Sequence, residues 1–178
     1  GLPMAYSQGF TPRPRVSFGL ALSTGHESLA EFLDLELDPA SGADVDLDRL
    51  PAVLSDALPT GIDVTAVAVV AAGTESLQQA VTSCSWVLVL RDIDRATVEA
   101  RVAEVLAADH LPVTRERKGK PVQDDLRPGV LALSVVGADA AGVHLAADLG
   151  AQPRALRPSE LLDAMGLCDH EGLVRRTH

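Results

Sequence analysis

The second half of the chain sets the tightest limit on the fold, because its apolar pattern switches between strand and helix periods in one recognisable order. Ser83 to Leu90, SCSWVLVL, reads as a strand, and Asp94 to Asp109 follows as an amphipathic helix with Val98, Val102, Val105 and Leu106 facing inward. Val113 to Arg117 and Val130 to Val136 read as strands on either side of a polar loop, and Val143 to Leu149 as another. Pro158 to Leu167 is a helix with Pro158 at its entry and Gly166 near its exit, and Leu173 to Thr177 begins a last strand. This order matches a ferredoxin-like βαββαβ unit carrying one extra strand.

The first half follows part of the same grammar. Arg15 to Leu22 and Ala30 to Leu37 read as strands, the second with Leu33, Leu35 and Leu37 on one face, and Gly25-His26-Glu27-Ser28 reads as the turn between them. Asp44 to Leu58 has helical spacing and stops at Pro59-Thr60-Gly61, and the valine-rich Ile62 to Ala72 reads as a third strand. Strand, strand, helix, strand is the latter part of a βαββαβ unit. The expected fold is therefore α+β, a tandem of two ferredoxin-like units over residues 1–74 and 75–178, the first lacking its initial strand and helix. A start at Gly1, with Met4 directly against the next motif, fits the same expectation of an N-terminal truncation.

A chain of 178 residues, 47% hydrophobic and 22% charged, has enough apolar material for a packed core. No apolar run reaches the roughly 20 residues that span a bilayer, and no secretory signal pattern opens the chain, so a cytoplasmic protein is expected. Cys84 and Cys168 are far apart and form no CxxC, which argues against a disulfide framework or an iron-sulfur site.

A net charge of -10 argues against general polyanion binding, but the charge is uneven. Carboxylates crowd the stretch from Glu27 to Asp63, where Arg49 is the only base, whereas residues 1–20 hold Arg13 and Arg15 and no acid. Those arginines lie in Ala5-Tyr6-Ser7-Gln8-Gly9-Phe10-Thr11-Pro12-Arg13-Pro14-Arg15-Val16-Ser17-Phe18-Gly19, a run rich in aromatics for a chain with few. Pro12 and Pro14 bias the segment toward extended backbone, and in an extended chain Arg13 and Arg15 share a face on which they can clamp a phosphate or carboxylate. Tyr6 and Phe10 can stack on bases, and Ser7 and Gln8 add polar groups beside an uncluttered Gly9. The competing reading makes the aromatics core residues and pairs the arginines with the acidic stretch.

Arg117-Lys118-Gly119-Lys120 forms a second basic segment, with backbone N–H groups at Gly119 able to approach an anion, and Asp125 and Arg127 follow close behind. An exposed, solvated hairpin tip is the alternative. The five histidines form no metal-ligand spacing; His26, near Glu27 and the arginine motif, is the one candidate acid or base. Neither a Walker loop nor a GxGxxG after a strand is present, and no metal site, catalytic residue or cofactor of its own is expected.

The opening run, with Gly1-Leu2-Pro3 before it and Gly25, Glu27 and Ser28 after it, resembles the radical-SAM-linked bacterial domain of unknown function. Arg117-Lys118-Gly119-Lys120, Asp125-Leu126-Arg127-Pro128, Arg157-Pro158-Ser159-Glu160-Leu161-Leu162 and Arg175-Arg176-Thr177-His178 extend the resemblance along nearly the whole chain. It implies a radical SAM protein as partner, on a separate chain or as a fusion, since that domain is encoded beside or fused to such proteins. It also implies a strand and helix ahead of Gly1. Thr11 and Arg13 stand where the family commonly has Asn and His, which removes a motif histidine as general base. The chain has no CxxxCxxC to hold the radical SAM cluster. The expected function is a noncatalytic accessory domain that binds RNA, foremost tRNA, or another anionic substrate, as in tRNA modification, with Tyr6, Ser7, Gln8, Phe10, Arg13, Arg15, Arg117, Lys118, Lys120 and Arg127 in contact. A metal-independent RNA-processing enzyme and a module that docks the radical SAM protein are the alternatives.

Overall fold

In the computed structural model, which describes residues 2–42, 45–71, 73–117 and 119–178, the apolar periods become an α+β protein. Its elements are β1 (Val16–Phe18), β2 (Glu27–Ser28), β3 (Leu33–Leu35), α1 (Leu50–Ala57), α2 (Leu77–Ala80), β4 (Ser83–Leu90), α3 (Arg95–Ala107), β5 (Pro112–Arg117), β6 (Lys120–Asp125), β7 (Val130–Asp139), β8 (Gly142–Gly150), α4 (Pro158–Ala164) and β9 (Glu171–Arg176). Two compact units form: Gly1–Gly19 with Leu33–Leu77, and Leu20–Phe32 with Gln78–His178. The division expected between residues 74 and 75 does not foresee that 20–32 group with the second unit.

The second unit is built on the order β4-α3-β7-β8-α4-β9, with its strands arranged β9-β4-β8-β7 and every neighbouring pair antiparallel. That is a split βαβ arrangement, as the sequence pattern predicts for this half. Alternation along β4 buries Cys84, Trp86, Leu88 and Leu90 on one side, where they meet Val98, Val102 and Val105 of α3, Leu161 and Leu162 of α4, and Leu145 and Val174 of the flanking strands. Asp94 caps α3, its carboxylate accepting from the Thr97 N–H at 2.9 Å. Pro158 opens α4, and the Glu160 carboxylate accepts from the Arg157 N–H at 3.1 Å.

Two readings of this half need correction. The polar loop expected after Arg117 is a hairpin, β5 against β6, with Gly119 at φ +74° at its turn. β5 is the strand read over Val113 to Arg117, whereas the polar sequence of β6 leaves no apolar alternation to read; cross-strand contacts hold this pair, Gln123 donating to the Thr114 hydroxyl at 2.8 Å and Arg115 facing Asp124 at 3.2 Å. Glu27–Ser28, expected as a turn, is instead a short strand parallel to β9 that extends the sheet to five strands.

The first unit has strand, strand and helix in the expected order, but in shorter pieces. β1 pairs antiparallel with β3, Val16 opposite Leu35 and Phe18 opposite Leu33. α1 begins at Leu50 rather than near residue 44, because Asp46 accepts the Asp48 and Arg49 N–H groups in a turn and Pro51 then fits the first helical turn. Residues 62–71 form no strand. A β-branched run becomes a strand only where a neighbour supplies a ladder, and here the side-chain ties are local ones, the Val64 N–H donating to Ser55 Oγ at 2.8 Å and Thr74 Oγ1 donating to the Ala71 carbonyl at 2.8 Å. A second ferredoxin-like sheet is thus not formed among the described residues of this unit, and Leu50 is the one hydrophobic side chain in it that is buried.

Candidate functional site

The opening motif folds into a closed loop. Three backbone segments meet at its base: the Ala5 N–H donates to the Glu36 carbonyl at 2.8 Å, Glu36 N–H to Arg15 at 3.1 Å, and Arg15 N–H to Ala5 at 2.9 Å. Above this ring of bonds Tyr6 bridges Pro14, the Ser7 N–H donates to the Arg13 carbonyl at 2.9 Å, and the Arg13 N–H donates to Ser7 Oγ at 3.0 Å. Pro12 and Pro14 suit the outgoing arm, since neither needs an N–H there. Gly9 takes a φ of +143°, which other residues rarely adopt, and turns the tip. Phe10 at that tip is fully exposed to solvent, with Gln8 exposed beside it and Tyr6 half exposed at the neck.

The two motif arginines have different fates. Arg15 is bound to Glu36, Nη1 to Oε2 at 2.7 Å, so the two-arginine clamp expected from the i, i+2 spacing is half occupied by an acid of the same unit. Arg13 is exposed and its guanidinium has no partner among the described residues. Ser7 is engaged in closing the loop. Phe10, Gln8, Tyr6 and Arg13 are therefore the groups this loop offers to a ligand.

The second basic segment lies in the other unit. Lys118 lies outside the described residues, as does the side chain of Arg117. Lys120 opens β6, exposed and without an ion-pair partner among the described residues. Arg127 is a structural group: Nε donates to the Ala108 carbonyl at 3.1 Å and Nη2 to Leu106 at 3.4 Å, satisfying carbonyls left open at the end of α3, and Nη1 donates to the carbonyl of Val130 at the start of β7 at 3.1 Å. Asp125 holds the turn that delivers it, accepting from His110 Nδ1 at 2.8 Å, the Leu111 N–H at 2.7 Å and the Arg127 N–H at 3.0 Å. The His110 contact and then the two backbone donors lower the Asp125 pKa to about 2.

The remaining arginine motifs are engaged in the same way. Arg115 and Arg154 share Glu160 and Asp124, at 3.3 and 3.1 Å from the first and 3.2 and 3.9 Å from the second. Arg175 donates twice to Glu27 Oε2, at 2.9 and 2.7 Å. Buried Arg176 donates to Ser28 Oγ and to the Leu20 carbonyl, each at 3.2 Å, pairs with Glu31, and lies 5.6 Å from the Trp86 ring centre. Together they fasten residues 20–31 to β9. Nothing in the sequence pattern marks Glu31 or Glu36 as anchors, because their partners are remote along the chain.

His26, the candidate acid or base, is buried edge-on against Trp86, with Nδ1 unpaired and Nε2 3.7 Å from Glu171. A ring shut away from solvent cannot reach a substrate, so the structure removes it from that role. Among the described residues no three His, Cys, Asp or Glu side chains converge as a metal site, and no helix is long and apolar enough to cross a membrane.

Residues 1–158 match the family described as uncharacterized protein conserved in bacteria (DUF2344), and the chain belongs to that family. No curated protein and no solved structure matches it.

Proposed function

We propose that this member of a bacterial family is a noncatalytic accessory protein that binds RNA, foremost tRNA, through its opening loop and presents it to a partner radical SAM enzyme. One observation carries the proposal: Phe10 stands fully exposed at the tip of a loop closed by its own hydrogen bonds, with the guanidinium of Arg13 uncommitted beside it. A phenyl ring has only two side-chain torsions to fix on stacking against a base, its exposed face loses no packing, and an arginine without a partner gives up no ion pair when it meets a phosphate. Tyr6 and Gln8 flank them. Lys120, with Arg117 and Lys118, is the second phosphate contact. The radical SAM partner comes from the resemblance of the opening run and brings the cluster for which this chain has no cysteine motif.

Filter binding of the protein to total small RNA over a salt series tests the reading. Retention that falls with salt is expected, and no retention at low salt contradicts it.

A docking module for the radical SAM protein is the second reading, favoured by a first unit that buries Leu50 and leaves Val16, Leu33, Val53 and Ile62 exposed among many carboxylates. Recovery of the partner enzyme on the protein after nuclease treatment, with no RNA retention, selects it.

A further inference from the structure

Six of the fifteen basic residues in this chain of net charge -10 lie in two short stretches, 115–120 and 154–157. The second unit brings the two stretches together. In the β5–β6 hairpin Arg115 stands opposite Val122, and side chains alternate along each strand, so Arg115, Lys120 and Asp124 share one face and Glu116 falls on the other. That face meets the segment leading into α4, where Arg115 and Arg154 share Glu160, at 3.3 and 3.1 Å, and Asp124, at 3.2 and 3.9 Å. Glu160 is fully engaged: it binds Arg154 through both oxygens and also accepts from the Arg157 N–H at 3.1 Å. Asp124 is held less firmly, since among the described residues it makes no hydrogen bond to either guanidinium, and Arg115 Nε and Nη2 are left buried with no acceptor. Lys120 and Arg157 are exposed and pair with no acid among the described residues. Two acids thus face four bases, a surplus of positive charge in an acidic protein, beside donors that lack an acceptor.

We propose that Arg115, Lys120, Arg154 and Arg157 form one phosphate-binding face that takes consecutive phosphates of an RNA backbone. The face rests on the RNA-binding reading above and extends the hairpin contact to arginines remote from it in sequence. An anion is the ligand that answers both features, the unbalanced charge and the open donors. A phosphate oxygen entering between Arg115 and Arg154 displaces only the loosely held Asp124, and it gives the two guanidinium groups the hydrogen bonds that Asp124 does not. Lys120 and Arg157 flank this position from the hairpin and from the start of α4, and neither gives up an ion pair to meet the neighbouring phosphate.

Binding of tRNA over a salt series by wild type, Lys120→Gln, Arg157→Gln and Asp124→Asn, with Arg95→Gln as the control, tests this. Arg95 is an arginine of α3 that Glu99 holds, and circular dichroism melts establish that the variants fold. Lys120→Gln and Arg157→Gln are each expected to weaken binding about fivefold or more in about 0.1 M salt and to make the salt slope shallower by about 1. Asp124→Asn keeps the shape of the side chain and removes the competing charge, so it should tighten binding, and Arg95→Gln should match wild type. Nuclear magnetic resonance of wild type supplies a reading that needs no variant: on titration with pyrophosphate the Nε–H signals of Arg115, Arg154 and Arg157 shift and saturate while that of Arg95 stays. If wild type retains tRNA but Lys120→Gln and Arg157→Gln bind no more weakly than Arg95→Gln, if Asp124→Asn weakens binding, or if pyrophosphate gives no saturable shift at Arg154 and Arg157, this face is overturned and the opening loop keeps its reading. No tRNA retention by wild type overturns both.

Discussion

Ser7 and Arg13 hold each other by two hydrogen bonds, the Ser7 N–H to the Arg13 carbonyl at 2.9 Å and the Arg13 N–H to Ser7 Oγ at 3.0 Å. Residues six apart are thereby locked at the neck of a loop, and Phe10 is carried on its tip with no packing of its own to hold it. A preorganised loop loses less entropy when it meets a ligand than a free segment does.

Replacing Ser7 with alanine deletes one of the two closing bonds and keeps the other. A net hydrogen bond contributes about 1 kcal/mol, so Ser7→Ala should weaken RNA retention about fivefold while global stability changes little. Faster amide exchange at Arg13 is the accompanying readout.

Arg176 is the strongest single tie between residues 20–31 and β9. Arg176→Met keeps the contact with Trp86 but strips the donors from Ser28 and the Leu20 carbonyl and leaves Glu31 unpaired. Because Glu31 is partly solvated, the expected loss lies near the lower end of the range for broken buried pairs, about 2–3 kcal/mol by urea unfolding. Faster amide exchange at Leu29, whose N–H donates to the Arg176 carbonyl, should accompany it.

Arg127 separates fold from binding. Arg127→Ala frees the carbonyls of Leu106 and Ala108 at the end of α3 and of Val130 at the start of β7, and a loss of about 2 kcal/mol is expected in thermal or urea unfolding. RNA retention by the folded fraction should match wild type. A selective loss of retention without destabilisation would return Arg127 to the binding surface.

Asp125 gives the fold an acid limit. Its pKa is depressed from 3.8 to about 2 in the folded protein, so its carboxylate stabilises the native state in full above the unfolded value, and that contribution fades as pH falls from about 4 to about 2. Urea midpoints between pH 2 and 5 should show this slope in wild type and a shallower one in Asp125→Asn. His110→Ala removes the largest cause of the depression and should move the slope to higher pH.

The second unit was legible because its apolar periods are long and agree with one another: β4, α3, β8 and α4 each bury the face their spacing marks. The first unit was less so. Ile62 to Ala72 has a strand's composition, but strands are made by partners, and composition does not say whether one is there. The bonds of Arg127 to the end of α3 are hidden for a similar reason, since those two carbonyls lie 19 and 21 residues away with no side-chain signal of their own. At the site, Pro12 and Pro14 predict the extended arm they occupy, whereas only the folded chain shows the closure through Ser7 and distinguishes Arg13, without a guanidinium partner among the described residues, from Arg15, which Glu36 holds.

The most direct measurement is the salt dependence of tRNA binding by wild type, Phe10→Ala and Arg13→Ala, all with unchanged melting curves. Phe10→Ala should lose about 1–3 kcal/mol of affinity at every salt concentration, the worth of one stacked base, and leave the salt slope alone. Arg13→Ala should weaken binding and make the slope shallower by about 1, one phosphate contact fewer. If both variants bind with the affinity and slope of wild type, the opening loop is not the contact.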